Sequence, residues 1–174
     1  MRSFYFIFIS DMKRYGCKSL FRYFLKSFVN AGVSSVVLYR LQSVCTRKFP
    51  IVAKIISRVN FSLNGIDFVL GSIIGAGLLI NHPIGIVVGN KVIAGENLEL
   101  MQNVTLGQKY FSSSRLDSVG NPTIGNNVSI GCGSTLLGEI NIGNFCFIGA
   151  GTILLQDLPA NSTAVGNPAK IFSN

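Results

Sequence analysis

The chain has 174 residues, enough for one compact domain with a small appendage. Its hydrophobic content of 48% and mean hydropathy of +0.47 are high, yet no stretch reaches the roughly 18 to 20 apolar residues that cross a bilayer. The net charge of +8 is uneven: residues 1–60 hold eleven Lys/Arg and one acid, Asp11, for +10, whereas residues 61–174 hold four Lys/Arg and six acids, for −2.

"MRSFYFIFIS" carries a charge and a short apolar run, but "DMKRYG" follows at once and no small-residue cleavage site appears. It reads as a first structural segment rather than a signal peptide. Cys17, Cys45, Cys132 and Cys146 show no paired spacing, which fits free thiols in a reducing cytoplasm.

Residues 1–60 read as helices. Leu20, Phe21, Phe24, Leu25, Phe28 and Val29 recur at helical spacing, while Lys18, Arg22 and Lys26 take another face. "VSSVVLYRLQSV" continues in the same style, and Pro50 opens a third helix with Ile51, Val52, Ile55, Ile56 and Val59 along one side. A basic, phenylalanine-rich amphipathic segment over residues 12–29 suits peripheral contact with the inner face of an anionic membrane; the alternative is that its apolar stripe packs onto the next domain. No nucleic-acid reading motif accompanies these bases, so nucleic acid is not an expected partner.

From residue 61 the period changes. Phe68, Ile74, Ile80, Ile86, Val92, Leu98 and Val104 are spaced by six, and the count resumes at Ile124, Ile130, Leu136, Ile142, Ile148 and Leu154. Period six fits neither an α-helix nor a hairpin. It builds a β-helix in which each short strand supplies one inward aliphatic, three hexapeptides closing a triangular coil of about 18 residues. The polar stretch at 108–121 interrupts the repeat and reads as a loop extruded at a corner, beside the binding face. The expected organisation is thus a basic helical segment, 1–60, and a β-helix domain, 61–174.

"HPIGIVVGNKVIAGENLELMQNVTLG", "NPTIGNNVSIGCGSTLLGEINIGNFCFIGAGTILLQDLPANSTAVGNPAKI" and Asp67, fifteen residues before His82, resemble the serine O-acetyltransferase branch of the hexapeptide-repeat acyltransferases. The similarity covers about residues 67 to 171. "LYRL" at 38–41 also looks like the lead-in of short relatives from polysaccharide biosynthesis. The resemblance implies a left-handed parallel β-helix, acetyl-CoA as co-substrate and a homotrimer with its active site between subunits.

It also assigns roles. His82, the sole histidine, matches the general base that takes the acceptor hydroxyl proton, and Asp67 matches the carboxylate that orients it. A regular coil leaves His82 three residues short of stacking on Asp67. Gly107, Cys132, Ala150, Gly151 and Thr163 match positions lining the acetyl-CoA groove, and Lys170 stands where a base meets its phosphates. A backbone N–H near Gly107 would receive the oxyanion. No metal is expected, because one histidine cannot supply a multi-histidine site.

Two departures bear on the acceptor. Asn81 stands where serine-specific members carry an aspartate before the histidine, and "GNP", Gly120–Pro122, stands in place of "RHP". A site without those charges suits a sugar hydroxyl, held by Asn81, Asn121 and Ser112–Ser114, better than a zwitterion. The sequence therefore favours O-acetylation of a nucleotide-linked or lipid-linked surface-polysaccharide sugar. The alternatives are a serine O-acetyltransferase of cysteine biosynthesis and a non-catalytic β-helix scaffold.

Overall fold

The computed structural model describes residues 4–109 and 120–173. The loop expected at 108–121, with Ser112–Ser114, lies mostly outside the described residues. Four helices come first: α1 (Phe4–Arg14), α2 (Leu20–Ser27), α3 (Ala31–Lys48) and α4 (Pro50–Asn64). Their ends carry the usual chemistry. The Ser19 hydroxyl accepts the Arg22 N–H, the Asn30 side chain accepts the Val33 N–H, Pro50 opens α4, and Gly65 closes it at φ 65°.

A three-faced parallel β-helix follows. The first face stacks β1 (Asp67–Phe68), β4 (Val87–Val88), β7 (Thr105–Gly107), β10 (Thr135–Leu137) and β13 (Ile153–Leu154). The second stacks β2 (Ile73–Ile74), β5 (Ile93–Ala94), β8 (Thr123–Ile124) and β11 (Asn141–Ile142). The third stacks β3 (Leu79–Ile80), β6 (Glu99–Leu100), β9 (Ser129–Ile130), β12 (Phe147–Ile148) and β14 (Ser162–Val165). It ends in β15 (Lys170–Ser173), which pairs antiparallel with β14. Phe68, Ile80, Leu100, Leu106, Ile130, Leu136, Ile148 and Leu154 fill the axis and are buried.

The unbroken period of six conceals a change of phase. Inward strand positions run Phe68, Ile74, Ile80 and then Val88, Ala94, Leu100, Leu106, whereas Ile86, Val92, Leu98 and Val104 fill buried corner positions two residues before each of these inward residues. Both positions are aliphatic, so the sequence count runs straight through the shift. Register shows where it occurs: Asp67 pairs with Val87, a step of twenty, but Val87 pairs with Thr105, a step of eighteen. The Gly85 N–H bonds Gly65 O and the Asn103 N–H bonds Ile84 O, which leaves the two extra residues within Asn81–Pro83. The bulge carries the only histidine.

The helices cap the first coil. An unpaired strand edge exposes N–H and C=O groups that must find partners. Side chains supply them: Gln42 donates to Phe68 O at 2.8 Å, Tyr39 donates to Ser72 O and accepts the Ile74 N–H, and Tyr15 donates to Ile80 O at 2.9 Å and accepts the Ile80 N–H at 2.8 Å. A Cβ on Gly32 would overlap the Ile80 carbonyl, so only glycine lets α3 sit this close.

The apolar helix stripes differ from the packed arrangement that their periodicity admits. Phe21, Phe24, Phe28 and Val29 of the α2 region are exposed, as are Ile51 and Ile55 of α4. Helix α4 instead meets α3 through a polar seam, in which Asn60 donates to Ser35 O at 3.0 Å and Asn64 to Asn60 Oδ1 at 2.9 Å. Buried amides are tolerated there because they are paired.

Candidate functional site

His82 lies in the lengthened corner between β3 and β4, exposed, with buried Pro83 behind it. Two supports fix that corner. Tyr15 clamps both polar groups of Ile80, two residues upstream, and burial pushes its phenol above the ordinary value, so it remains a neutral donor. Asn81 Nδ2 donates to Glu99 Oε1 at 3.1 Å. Glu99 also accepts the Ser129 hydroxyl at 3.4 Å and meets Arg14 Nη2 at 3.7 Å.

Cys132, Ala150 and Gly151 lie at the same corner in later coils, forming one edge with His82. Successive coils are tied there by Gly133 N–H to Gln102 O at 2.9 Å and Gly151 N–H to Cys132 O at 2.8 Å. That edge is open to its surroundings: a Cβ added at Gly133 or Gly151 would meet nothing within 4 Å. Thr163 lies in β14 and pairs with Phe147, and Lys170 is exposed at the start of β15.

Other expected site residues lie elsewhere. Gly107 ends β7, at the opposite margin of the first face, and Asn121 just precedes β8 on the second. Asn121 is only 7% exposed and, among the described residues, neither of its amide atoms has a hydrogen-bond partner; a Cβ on Gly89 would lie 2.6 Å from its Oδ1. Asp67 faces a pocket lined by Lys54, Ser57, Arg58, Phe61 and Leu70. Among the described residues no hydrogen bond joins it to His82. The twenty-residue first step also places His82 five residues before Val87, the residue stacked on Asp67, rather than three.

Sequence reasoning did not single out Arg14, Tyr15 or Glu99. Tyr15 and Arg14 are 65 and more residues from the corner they support. Register places Glu99 opposite Leu79, so the Asn81–Glu99 contact runs diagonally from β6 to the residue just after β3.

Residues 121–156 match the bacterial transferase hexapeptide (six repeats) family. A serine acetyltransferase of Helicobacter pylori is 36% identical over 70 residues, 40% of this chain and 41% of that relative. Among solved structures, the serine acetyltransferase of Neisseria gonorrhoeae in complex with serine superposes with TM-score 0.83 at 26% identity, over 98% of this chain and 69% of that one. A serine acetyltransferase in complex with CoA gives TM-score 0.72 at 28% identity, over 82% of this chain and 57% of that one. The chain thus covers less than half of the Helicobacter relative.

These likenesses overturn the sugar-acceptor reading and its polysaccharide setting, since the relatives are serine acetyltransferases. The inference from missing charge considered only Asn81 and Gly120–Pro122, and the corner does hold a carboxylate, that of Glu99, 3.1 Å from Asn81. The chain carries the left-handed β-helix of the hexapeptide-repeat transferases and, within them, resembles the serine acetyltransferases.

Proposed function

We propose that this chain transfers the acetyl group of acetyl-CoA to the hydroxyl of L-serine, with His82 as general base. The observation that carries the reading is the likeness to a serine-bound acetyltransferase over 98% of the chain, helices included. His82 takes the hydroxyl proton as the serine oxygen attacks the thioester carbon, and a backbone N–H near Gly107 meets the developing oxyanion. The intermediate then collapses, the C–S bond breaks, and His82 returns the proton to the departing sulfur. Asp67 orients the imidazole in this scheme. The small edge of Cys132, Ala150 and Gly151 suits a long, thin co-substrate, with Thr163 beside it and Lys170 available to its phosphates.

The active unit is a homotrimer in this reading. Within one chain His82 and Asn121 belong to different margins of the first face, so a neighbouring subunit is the simplest means of closing one site around both. The two parts of the chain divide the work, residues 1–60 capping and residues 61–174 carrying the chemistry.

Residues 12–29 carry a second role, peripheral contact with an anionic membrane from the cytoplasmic side. The exposed Phe21, Phe24, Phe28 and Val29, with Arg22 and Lys26 among them, support it. No helix among the described residues is long and apolar enough to cross a membrane.

A thiol-release assay tests the acceptor. Acetyl-CoA consumption that depends on L-serine, with O-acetylserine found by mass spectrometry, is expected; no release with serine would overturn the reading.

A further inference from the structure

We infer that Glu99 and Arg14 recognise the ammonium and carboxylate groups of the amino acid acceptor, replacing charges absent at Asn81 and in Gly120–Pro122. The inference rests on the acetyltransferase reading above and assigns its specificity to residues on other elements.

Glu99 sits on β6, one coil above Asn81, and its carboxylate is the negative charge held by the residue adjoining His82. Its contacts are loose, at 3.1 Å to Asn81, 3.4 Å to Ser129 and 3.7 Å to Arg14. An ionised carboxylate has about four acceptor positions. The Glu99 side chain is 29% exposed, so a ligand ammonium can reach it without unfolding anything. Arg14, 33% exposed, meets Glu99 through Nη2 at 3.7 Å, beyond hydrogen-bond length. A planar fork of five donors engaged this way retains capacity for a carboxylate.

The spacing of the two charges suits a zwitterion. An α-amino acid carries its opposite charges on two substituents of one carbon, and Glu99 and Arg14 present theirs side by side at 3.7 Å. The alternative is an ordinary surface ion pair, worth little to stability and nothing to selectivity. Helix α1 positions Arg14, and Tyr15, the next residue, is locked to Ile80. The helical cap thereby becomes part of acceptor recognition.

Full-length wild-type protein and the variants Glu99→Gln and Arg14→Gln are assayed for acetyl-CoA turnover with L-serine, with L-glycerate, which has a hydroxyl in place of the ammonium, and with L-serinamide, which lacks the carboxylate. Glu99→Gln keeps the shape and an acceptor for Asn81, so the fold should persist. It is expected to raise KM for L-serine at least tenfold, leave KM for acetyl-CoA unchanged, and erase the preference for serine over glycerate. Arg14→Gln is expected to erase the preference for serine over serinamide. A wild type active on serine whose variants keep both preferences would overturn this inference alone. A wild type that releases no thiol with serine would overturn the acceptor reading and this inference with it.

Discussion

Asp11 and Arg40 form a buried ion pair: Arg40 Nε donates to Asp11 Oδ2 at 2.8 Å, and the two residues are 0% and 3% exposed. Each charge also serves the first coil. Asp11 Oδ1 accepts the N–H groups of Gly77 and Leu78 at 2.8 and 2.9 Å, and Arg40 donates to Ile74 O and Gly75 O. Helices α1 and α3 are thereby fastened to the turn between β2 and β3.

Removing one partner should cost far more than a surface pair. Asp11→Ala leaves a buried guanidinium uncompensated and two N–H groups orphaned, a loss of about 3 to 5 kcal/mol. For a domain of this length the expected fall in Tm is on the order of 10 °C. Thermal unfolding followed by circular dichroism checks it; a fall within a degree or two would mean that the cap does not depend on the pair.

Tyr15 gives the fold a pH limit. Burial raises its phenol above the ordinary value, and the same holds for Tyr23. The unfolded phenol therefore loses its proton first, so the stabilisation is complete below about pH 10 and declines as pH rises beyond it. The wild-type Tm should fall between about pH 9 and about pH 11, and Tyr15→Phe should lower Tm at neutral pH but fall less steeply above it. Parallel slopes for the two proteins would refute the assignment.

His82→Ala should leave the fold and CoA binding intact while cutting turnover by roughly 10² to 10⁴. Asp67→Asn should act in the same direction and more mildly. Steady-state rates with calorimetric CoA affinity decide it, and near wild-type turnover would make His82 a structural residue.

Multi-angle light scattering at micromolar concentration should give three times the mass of one 18.8 kDa chain. A monomer that retains full activity would remove the shared-site scheme.

For residues 12–29, the full-length protein should co-sediment with phosphatidylserine vesicles and not with phosphatidylcholine vesicles. Phe24→Ser combined with Phe28→Ser should abolish the difference, because both rings are exposed and carry the apolar contact. Equal sedimentation of variant and wild type would leave that face to some other occupant.

The sequence by itself determined the β-helix, because one aliphatic per six residues is a local demand of each short strand and repeats whatever surrounds it. It also isolated His82, the sole imidazole, at the edge of a repeat. It did not reveal the change of phase at Asn81–Pro83, since Ile86 and Val88 are both aliphatic and either satisfies the count. Nor could it tell which face of α2 or α4 is covered, because amphipathic spacing defines a stripe without naming its partner. Only the tertiary structure decided where the charges beside His82 come from. Asn81 and Glu99 are eighteen residues apart in sequence and 3.1 Å apart in space, and Arg14 arrives from the first helix. The coil step and the docking of the cap set those distances, and both depend on contacts across the whole chain.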